Sequence, residues 1–143
     1  LLMPRIYVAG PLLHGHTRSI EEGIQNWEKT CIVTDQLMQK GWAPFTPHHM
    51  IHMQKFLKDH QDREISFERA MQLDSSFISV CSALFFIGHS KGADIELAYA
   101  LDNGMTVYMN IDEVPIVKPD NYLCPDCKDV EHYKTPHGEE DID

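Results

Sequence analysis

The stretch from Phe85 to Tyr108 constrains the fold of this chain more than any other part of the sequence. Residues 83–87 are a short apolar run that predicts a buried strand, and residues 88–92 form a loop of glycine and polar residues. Residues 93–103 have helical character, Gly104 is expected to end this helix, and the apolar run 106–109 predicts a second strand. A strand, a helix and a further strand in this order are typical of a βαβ unit, which indicates an α/β domain with a parallel sheet.

The loop of this unit is the best candidate for a ligand site. Gly88 and Gly92 allow the backbone to approach a ligand closely, and Ser90 supplies a hydroxyl that both donates and accepts hydrogen bonds. The helix that follows presents unpaired N–H groups and the positive end of its dipole. Ligands of open α/β sheets bind outside the carboxyl ends of the strands, where this loop is expected. Ser90 and Gly92 are also compatible with ordinary helix-entry chemistry.

Glu96 is the candidate catalytic residue of the predicted helix. It follows Gly92 by one helical turn, so no side chain at that position screens its carboxylate from the loop. Ala93 and Ala100 flank it with small groups, and a carboxylate in such surroundings is placed to act as a nucleophile or base. The competing interpretation is a solvated surface charge, the usual state of a helical glutamate. Asp94 is interpreted as a charge that complements the helix dipole.

Composition limits the classes of partner. The chain has 143 residues, of which 43% are hydrophobic, enough for one domain with a core. The 12 Lys and Arg against 22 Asp and Glu give a net charge of -10, which argues against nucleic acids and anionic membranes. A small phosphorylated ligand stays compatible with this acidity because backbone N–H groups and one or two cations bind it locally.

The predicted location is cytoplasmic. No apolar run has the length of a transmembrane helix, and the N-terminus shows no signal-peptide pattern. Cys31 and Cys81 lie in apolar, helix-like stretches, and we expect both to be buried small hydrophobes rather than disulfide partners.

The beginning of the chain predicts a strand and a loop. Residues 5–9 are apolar and end at Gly10 and Pro11, so we expect a buried strand at the centre of the sheet. The loop that follows contains His14 and His16. Because it leaves the carboxyl end of that strand, it is expected to border the same crevice as Ser90 and Glu96.

A long helix is predicted next. Ser19 and Glu22 form a capping-box pattern, and Gly41 ends the helix after about Lys40. One apolar stripe at helical spacing is expected to face the core, and it consists of Ile20, Ile24, Trp27, Cys31 and Met38.

Three histidines follow the second predicted strand, residues 42–46, which its proline places at an edge or a strand end. A histidine cluster is a metal signal. However, His48 and His49 are adjacent and share no helix face, and no carboxylate partner for them or for His52 is evident. A substrate-contact or structural role is therefore preferred for these histidines. Residues 50–62 are helical in propensity and are interpreted as a mobile lid over the crevice.

A further helix is predicted over residues 63–80. Asp74 lies late in this helix, shortly before the strand that leads into the Ser90 loop. From the residue pattern alone, a solvated surface aspartate is the favoured interpretation.

The C-terminal part, residues 111–143, changes character, with recurring prolines and an acidic end. It is predicted to be an extended tail that packs on its own domain, residues 1–110, or on a neighbouring subunit. The tail contains a CxxC pair with zinc-finger spacing and two histidines downstream. The predicted structural zinc ligands are Cys124, Cys127, His132 and His137, against the alternative of free thiols in a loop.

Two motifs carry a resemblance to a known family. Ile6-Tyr7-Val8-Ala9-Gly10-Pro11 and Ser90-Lys91-Gly92-Ala93-Asp94-Ile95-Glu96 resemble the nucleoside 2-deoxyribosyltransferase-like superfamily. That family has a strand ending in Gly and Pro or Ser near its start, and S-x-G-x-x-x-E at its catalytic helix. It includes deoxyribosyltransferases, nucleotide N-glycosidases and uncharacterised bacterial and phage proteins, to which this chain looks nearest. The resemblance implies a Rossmann-like (flavodoxin-like) parallel sheet in a three-layer α/β/α domain.

The resemblance also implies roles for individual residues. Glu96 matches the nucleophile that attacks the anomeric carbon of the sugar, and Asp74 matches an aspartate that holds sugar hydroxyls or handles the proton of the departing base. Tyr7 matches an aromatic residue near the nucleophile, and Ser90 a contact to a 5′-phosphate or hydroxyl. Together with the loop and histidine positions, the predicted substrate contacts are Gly10, Pro11, His48, His49, Gly88, Ser90 and Gly92.

The implied function is cleavage or transfer at the N-glycosidic bond of a nucleoside or nucleoside monophosphate, without a catalytic cofactor and in a homo-oligomer. The monophosphate glycosidases place Ser and Arg where this chain has Pro11 and Leu13, which leaves the 5′ group open. Arg18, Lys91 and the histidines are substitutes for that clamp. Two other readings stay open: a nucleotide-sensing module without turnover, and an assembly protein with a zinc-binding tail.

Overall fold

Strands and helices alternate along the part of the chain described by a computed structural model, residues 3–12 and 19–117. Its strands are β1 (Arg5–Ala9), β2 (Ala43–Phe45), β3 (Ala83–Phe86) and β4 (Thr106–Tyr108). Its α-helices are α1 (Ile20–Gln39), α2 (Ile51–Gln61), α3 (Phe67–Ile78) and α4 (Lys91–Asp102). Two short 3-10 helices, Pro47–Met50 and Ile111–Glu113, follow β2 and β4.

The four strands form one parallel sheet in the order β2-β1-β3-β4. Tyr7 of β1 pairs with Phe45 on one side and Leu84 on the other. The predicted interior position of the first strand and the edge position of the second are confirmed. The predicted Rossmann-like α/β/α fold is confirmed as well.

Alternation along β1 divides the core into two layers, because successive side chains of a strand point to opposite faces of the sheet. Ile6 and Val8 pack in one apolar cluster with Leu37 of α1 and Val114 after β4. Tyr7 and Ala9 belong to a second cluster, formed with α3 and α4, whose other buried members are Ile78, Leu84, Phe86, Ala93 and Ala100. All four of these β1 side chains are fully buried, so this strand joins the two layers.

Local signals set the ends of the helices. Gly41 and Gly104 follow α1 and α4 with φ angles of 91° and 69°, a conformation that favours glycine at the end of a helix. Both predicted helix stops are confirmed. Helix α4 begins at Lys91, earlier than predicted, because the Ser90 hydroxyl accepts a hydrogen bond from the amide of Ala93 and caps the helix.

The predicted core-facing stripe of α1 is wrong, because the buried residues lie on a different face of the helix. Met38 is 58% exposed, and the buried positions of this helix are Gly23, Thr30, Thr34 and Leu37. The threonine hydroxyls tolerate burial because each has a partner: Thr30 donates to the carbonyl of Trp27, and Thr34 Oγ1 lies 2.6 Å from Thr46 Oγ1. Cys31 and Cys81, which were expected to be buried, are free thiols that are only partly buried.

Residues 111–117 pack back onto the sheet. Val114 is buried beside Trp42, whose indole donates a hydrogen bond of 2.9 Å to the carbonyl of Pro115. Several predicted features lie outside the described residues: His14, His16 and Arg18 in the first loop, and Cys124, Cys127, His132 and His137 in the tail. Within residues 3–12 and 19–117, none of the helices has the length and apolar character needed to cross a membrane.

Candidate active site

A cavity of about 210 Å³ lies where the carboxyl ends of three strands meet. Its wall is formed by Gly10 and Leu12 after β1, by residues between 47 and 54 after β2, and by Ser90 and its neighbours after β3. The remaining lining side chains come from α3, from Ile65 just before it and from Glu96 of α4. The loops after β1 and β3 were expected to border one crevice, and their described residues do so.

Glu96 lies at this cavity and is held by Tyr7. The Tyr7 hydroxyl donates a hydrogen bond to Oε2 of Glu96. Tyr7 is fully buried on β1, and only 5% of the Glu96 surface is exposed. The carboxylate is therefore nearly sealed from bulk water, and the solvated-charge interpretation of Glu96 is wrong.

Burial controls the proton affinity of Glu96. Desolvation raises its pKa to about 9, and the nearby Asp74 charge acts in the same direction. The hydrogen bond from Tyr7 opposes the rise because it stabilises the ionised carboxylate. Burial therefore favours the protonated form of Glu96 at neutral pH.

Asp74 is the second carboxyl group of the cavity. It projects from α3, is half-buried, and lines the same wall as Glu96. Burial raises the pKa of Asp74, while hydrogen bonding to Glu96 and Tyr7 opposes that rise. The favoured reading from the residue pattern, a solvated surface aspartate, is therefore wrong.

Tyr7, Asp74 and Glu96 thus form one interacting group, called here the acid triad. Burial and the two neighbouring carboxyl groups raise the pKa of Tyr7 far above its ordinary range, so its hydroxyl remains a donor. Two carboxyl groups so close do not readily ionise together. The acid triad can hold one proton on one carboxyl group and a negative charge on the other.

His48 is a buried, neutral member of the cavity wall. Its Nε2 lies 2.9 Å from the carbonyl oxygen of Gly10 and donates to it, which leaves Nδ1 as an acceptor. Burial lowers the pKa of His48. Among the described residues, Nδ1 of His48 is the buried side-chain polar atom that has no hydrogen-bond partner.

Gly10 lies in a tightly packed position at the end of β1. A Cβ built at this position lies 3.0 Å from Cβ of Ile87, the residue after β3, so a side chain there requires the two strand ends to move apart by a few tenths of an ångström. This close approach brings the loops after β1 and β3 to the same cavity. At Gly92, a Cβ meets Met71 and Phe67 only at ordinary contact distances. A small side chain there would fit the backbone but would take up space in the cavity.

Three predicted substrate contacts are not part of the cavity wall. His49 points to α1, where its Nδ1 accepts a hydrogen bond of 2.9 Å from the Trp27 indole. Adjacent residues of the 3-10 helix point in different directions, which separates His49 from His48. Pro11 and Gly88 lie against each other beside the cavity, with 3.7 Å between Pro11 Cδ and a Cβ built at Gly88.

Some residues of the wall have no counterpart in the sequence prediction. Phe67 and Met71 share a face of α3 with Asp74, at intervals of four and three residues, and this spacing was a usable signal. Lys91, a predicted substitute for the phosphate clamp, lies at the cavity with its ammonium 4.6 Å from the centre of the Phe67 ring, a cation–π contact. Gln54 of α2 also lines the wall, and no motif marks it.

No metal cluster is present in the described part of the chain, where no three His, Cys, Asp or Glu side chains are grouped to hold an ion. The two carboxyl groups of the acid triad are oxygen ligands of the kind that magnesium accepts, but two such groups alone do not form a protein cage.

Sequence comparison adds a family to this geometry. Residues 4–110 match the model of a family described as Domain of unknown function (DUF7768). The chain belongs to this family. The DUF7768 match includes β1 to β4, the acid triad and the described cavity wall. No curated protein matches the chain.

Proposed function

We propose that this protein cleaves or transfers the N-glycosidic bond of a nucleoside or nucleoside monophosphate, with Glu96 as nucleophile. The observation that carries the proposal is the buried Glu96 carboxyl group, bonded to Tyr7 beside Asp74 in a cavity at the strand ends. The resemblance of the two motifs to nucleoside 2-deoxyribosyltransferase-like proteins supports the same assignment.

The reaction proceeds in two steps. An oxygen of Glu96 bonds to the anomeric carbon of the sugar as the bond from that carbon to the base nitrogen breaks. The electron pair of the broken bond goes to the base, which takes a proton from Asp74. The sugar remains as an ester on Glu96 until water, in a hydrolase, or a second base, in a transferase, attacks the same carbon. In that step the bond from the carbon to Glu96 breaks and releases the carboxylate, and the attacking group gives its proton back to Asp74. This double displacement parallels that of retaining glycosidases.

The protonation states that the acid triad can adopt are those that these steps require. The mechanism needs one ionised carboxylate and one carboxylic acid, and burial raises the pKa of both Glu96 and Asp74. Positive charge that develops on the sugar favours the ionised form of Glu96, because opposite charges attract strongly in a buried site. The proton of the pair then resides on Asp74, where the departing base requires it.

The rim of the cavity is compatible with both a free 5′-hydroxyl and a 5′-phosphate. Ser90, Lys91 and the N-terminus of α4 form this rim. A helix N-terminus and a lysine attract phosphate, whereas Leu13 stands where monophosphate glycosidases have an arginine. The substrate panel must therefore include both forms.

The test is base release measured by chromatography with a panel of nucleosides and their 5′-monophosphates. Glu96→Gln keeps the shape of the side chain and removes the nucleophile, so base release should fall by about 10³-fold or more. Glu28→Gln, at an exposed position on α1, is the matched control and should behave as wild type. Denaturing mass spectrometry should detect a sugar adduct on the wild-type chain alone. Wild-type turnover by Glu96→Gln contradicts the proposal.

A second candidate function is nucleotide binding without turnover. The observation that favours it is the raised pKa of Glu96, since a protonated carboxyl group is not a nucleophile. In this case a nucleotide raises the melting temperature and is recovered intact. Free base in the same incubation excludes this function.

A further inference from the structure

Two backbone carbonyls just after β1 accept hydrogen bonds from side chains of other elements. Nδ2 of Asn26, on α1, donates a hydrogen bond of 2.8 Å to the carbonyl oxygen of Leu12. Nε2 of His48, in the 3-10 helix after β2, donates a buried hydrogen bond of 2.9 Å to the carbonyl oxygen of Gly10. Gly10 and Leu12 both line the cavity. The wall segment, residues 10–12, is therefore held by two elements outside its own strand.

A third hydrogen bond joins those two elements to each other. The Trp27 indole, next to Asn26 on α1, donates a hydrogen bond of 2.9 Å to Nδ1 of His49, next to His48. Helix α1, the wall segment and the 3-10 helix are thus connected pairwise by three side-chain hydrogen bonds. A network that closes on itself fixes its members more firmly than separate bonds do.

The sheet does not provide these contacts. The ladder between β1 and β3 ends near Ala9, whose carbonyl accepts a hydrogen bond of 2.8 Å from the amide of Ile87. Beyond that point Pro11 has no N–H to donate. Backbone carbonyls that lie away from water need partners, and Asn26 and His48 supply them for this segment. Its position therefore depends on side chains that can be replaced without removing a bond of the sheet.

Asn26 acts on the cavity through the backbone alone. Its side chain is not part of the described cavity wall, whereas Leu12, whose carbonyl it holds, is. The wall segment and Glu96 line the same cavity, so a sugar beside Glu96 is bounded by this segment. A misplacement of about 1 Å in a group that positions a substrate costs about 10²-fold in rate.

We propose that Asn26 and His48 are positioning residues, which hold the wall segment so that a sugar in the cavity meets Glu96 in the geometry of reaction. Neither side chain takes part in the breaking or forming of a bond. This inference rests on the proposed function and adds two residues outside the acid triad to it.

The decisive variant is Asn26→Leu, which removes the amide donor at nearly constant size. Thr34→Val is the matched control. Thr34 lies on the same helix, its Oγ1 is 2.6 Å from Oγ1 of Thr46 in a buried hydrogen bond, and neither threonine lines the cavity. For both variants, kcat and KM of base release are measured with the nucleoside or monophosphate that the wild type cleaves fastest, and stability is measured by urea unfolding.

In Asn26→Leu, kcat should fall by about 10- to 100-fold under conditions where the unfolding curve shows the chain to be folded. Thr34→Val should lose stability and keep the wild-type kcat, because its hydrogen bond does not hold the wall. A wild-type kcat in Asn26→Leu overturns the inference. Equal losses of kcat in the two variants also overturn it, since they reveal a general effect of instability.

His48 is tested by rescue. Glutamine can place an amide N–H near the position of Nε2, so His48→Gln should keep most of the wild-type kcat, whereas His48→Leu should lose kcat as Asn26→Leu does. Equal losses in the two His48 variants overturn its assignment as a positioning donor. A loss in His48→Leu with no loss in Asn26→Leu indicates that His48 contacts the substrate directly, which also overturns the inference.

Failure of the proposed function gives a different result. In that case the wild type releases no base from any compound of the panel. Dissociation constants for the same compounds are then measured by calorimetry. Binding that is about tenfold weaker in Asn26→Leu and unchanged in Thr34→Val supports the same positioning role in a binding protein. Absence of binding by the wild type, or equal binding by both variants, overturns it.

Discussion

The hydroxyl of Tyr7 donates a hydrogen bond to Oε2 of Glu96 across a sequence separation of 89 residues. Tyr7 occupies an interior strand, and Glu96 lies on the helix that follows the neighbouring strand. The bond therefore forms only when β1 and α4 are both in place. Because each partner of this bond can be replaced by a residue of nearly equal shape, its chemical role can be separated from its packing.

Replacement of Tyr7 by phenylalanine should move the pH dependence of base release. The hydrogen bond from Tyr7 lowers the pKa of Glu96, so its loss raises that pKa further. Since the reaction needs ionised Glu96, the acidic limb of the pH–kcat/KM profile should shift to higher pH in Tyr7→Phe. A profile that keeps its wild-type acidic limb is the contrary result, and Tyr108→Phe, away from the cavity wall, serves as control.

Asp74→Asn should shift the same limb in the opposite direction. The negative charge of Asp74 raises the pKa of Glu96, so its removal lowers that pKa and moves the acidic limb to lower pH. The rate at the optimum should fall by about 10²- to 10⁴-fold because the departing base loses its proton donor. Asp102→Asn, at an exposed position on α4, controls for loss of one charge. A shift in the same direction as in Tyr7→Phe contradicts the arrangement of the acid triad.

Stability should depend on pH through Glu96. Its pKa is about 9 in the folded chain against an ordinary value of 4.5, so the folded chain retains a proton that the unfolded chain releases. The stabilisation is complete below pH 4.5 and is lost as the pH rises through about 9. The free energy of unfolding should therefore fall across this window, by about 1.4 kcal/mol for each unit of pKa difference.

Glu96→Gln removes this titration. Relative to the wild type, the variant should gain stability between pH 5 and pH 8 in urea unfolding, because a neutral amide has no charge to bury. That result would show that the buried carboxyl group lowers the free energy of unfolding, as is common for functional residues. A constant difference between the two proteins at both pH values indicates that Glu96 does not titrate in this window.

Ser90→Ala separates helix capping from ligand contact. Ser90 and Ser66 cap α4 and α3 with equal hydrogen bonds of 3.1 Å, so each alanine variant should lose about 1 kcal/mol of stability. Only Ser90 lines the cavity. The rise in melting temperature produced by a bound nucleoside should therefore shrink in Ser90→Ala and persist in Ser66→Ala. Equal ligand-induced rises in the two variants assign Ser90 to capping alone.

The elements of the fold were predictable because their signals are local. Short apolar runs mark the strands, and Gly41 and Gly104 mark helix ends through a backbone conformation that glycine favours. The buried face of α1 was not predictable in this way. Thr34 is buried because Thr46, on another element, supplies its hydrogen-bond partner, and no pattern within a helix contains that information.

The same difference between local signals and contacts between elements applies to the residues of the candidate site. Glu96 and Ser90 were found because they lie on the first turns of one helix, after a glycine loop. The proximity of Asp74 to Glu96 depends on how α3 packs against α4, which spacing does not encode. His49 was assigned with His48 because the two are adjacent, yet His49 accepts a hydrogen bond from the Trp27 indole and does not line the cavity. Gln54 was missed because α2 carries no motif.

Both apolar layers of the core meet on β1. Substitutions on the β1 side of the cavity should therefore be tolerated less well than substitutions on the α2 side. Tyr7 shares its strand with side chains that belong to both layers, so a substitution that displaces it also disturbs the core. Helix α2 packs mainly against α1 and the 3-10 helix before it, at the periphery of the sheet. Substitutions in the part of the cavity wall that α2 supplies should therefore disturb the core less than substitutions at Tyr7, whose strand lies between both layers.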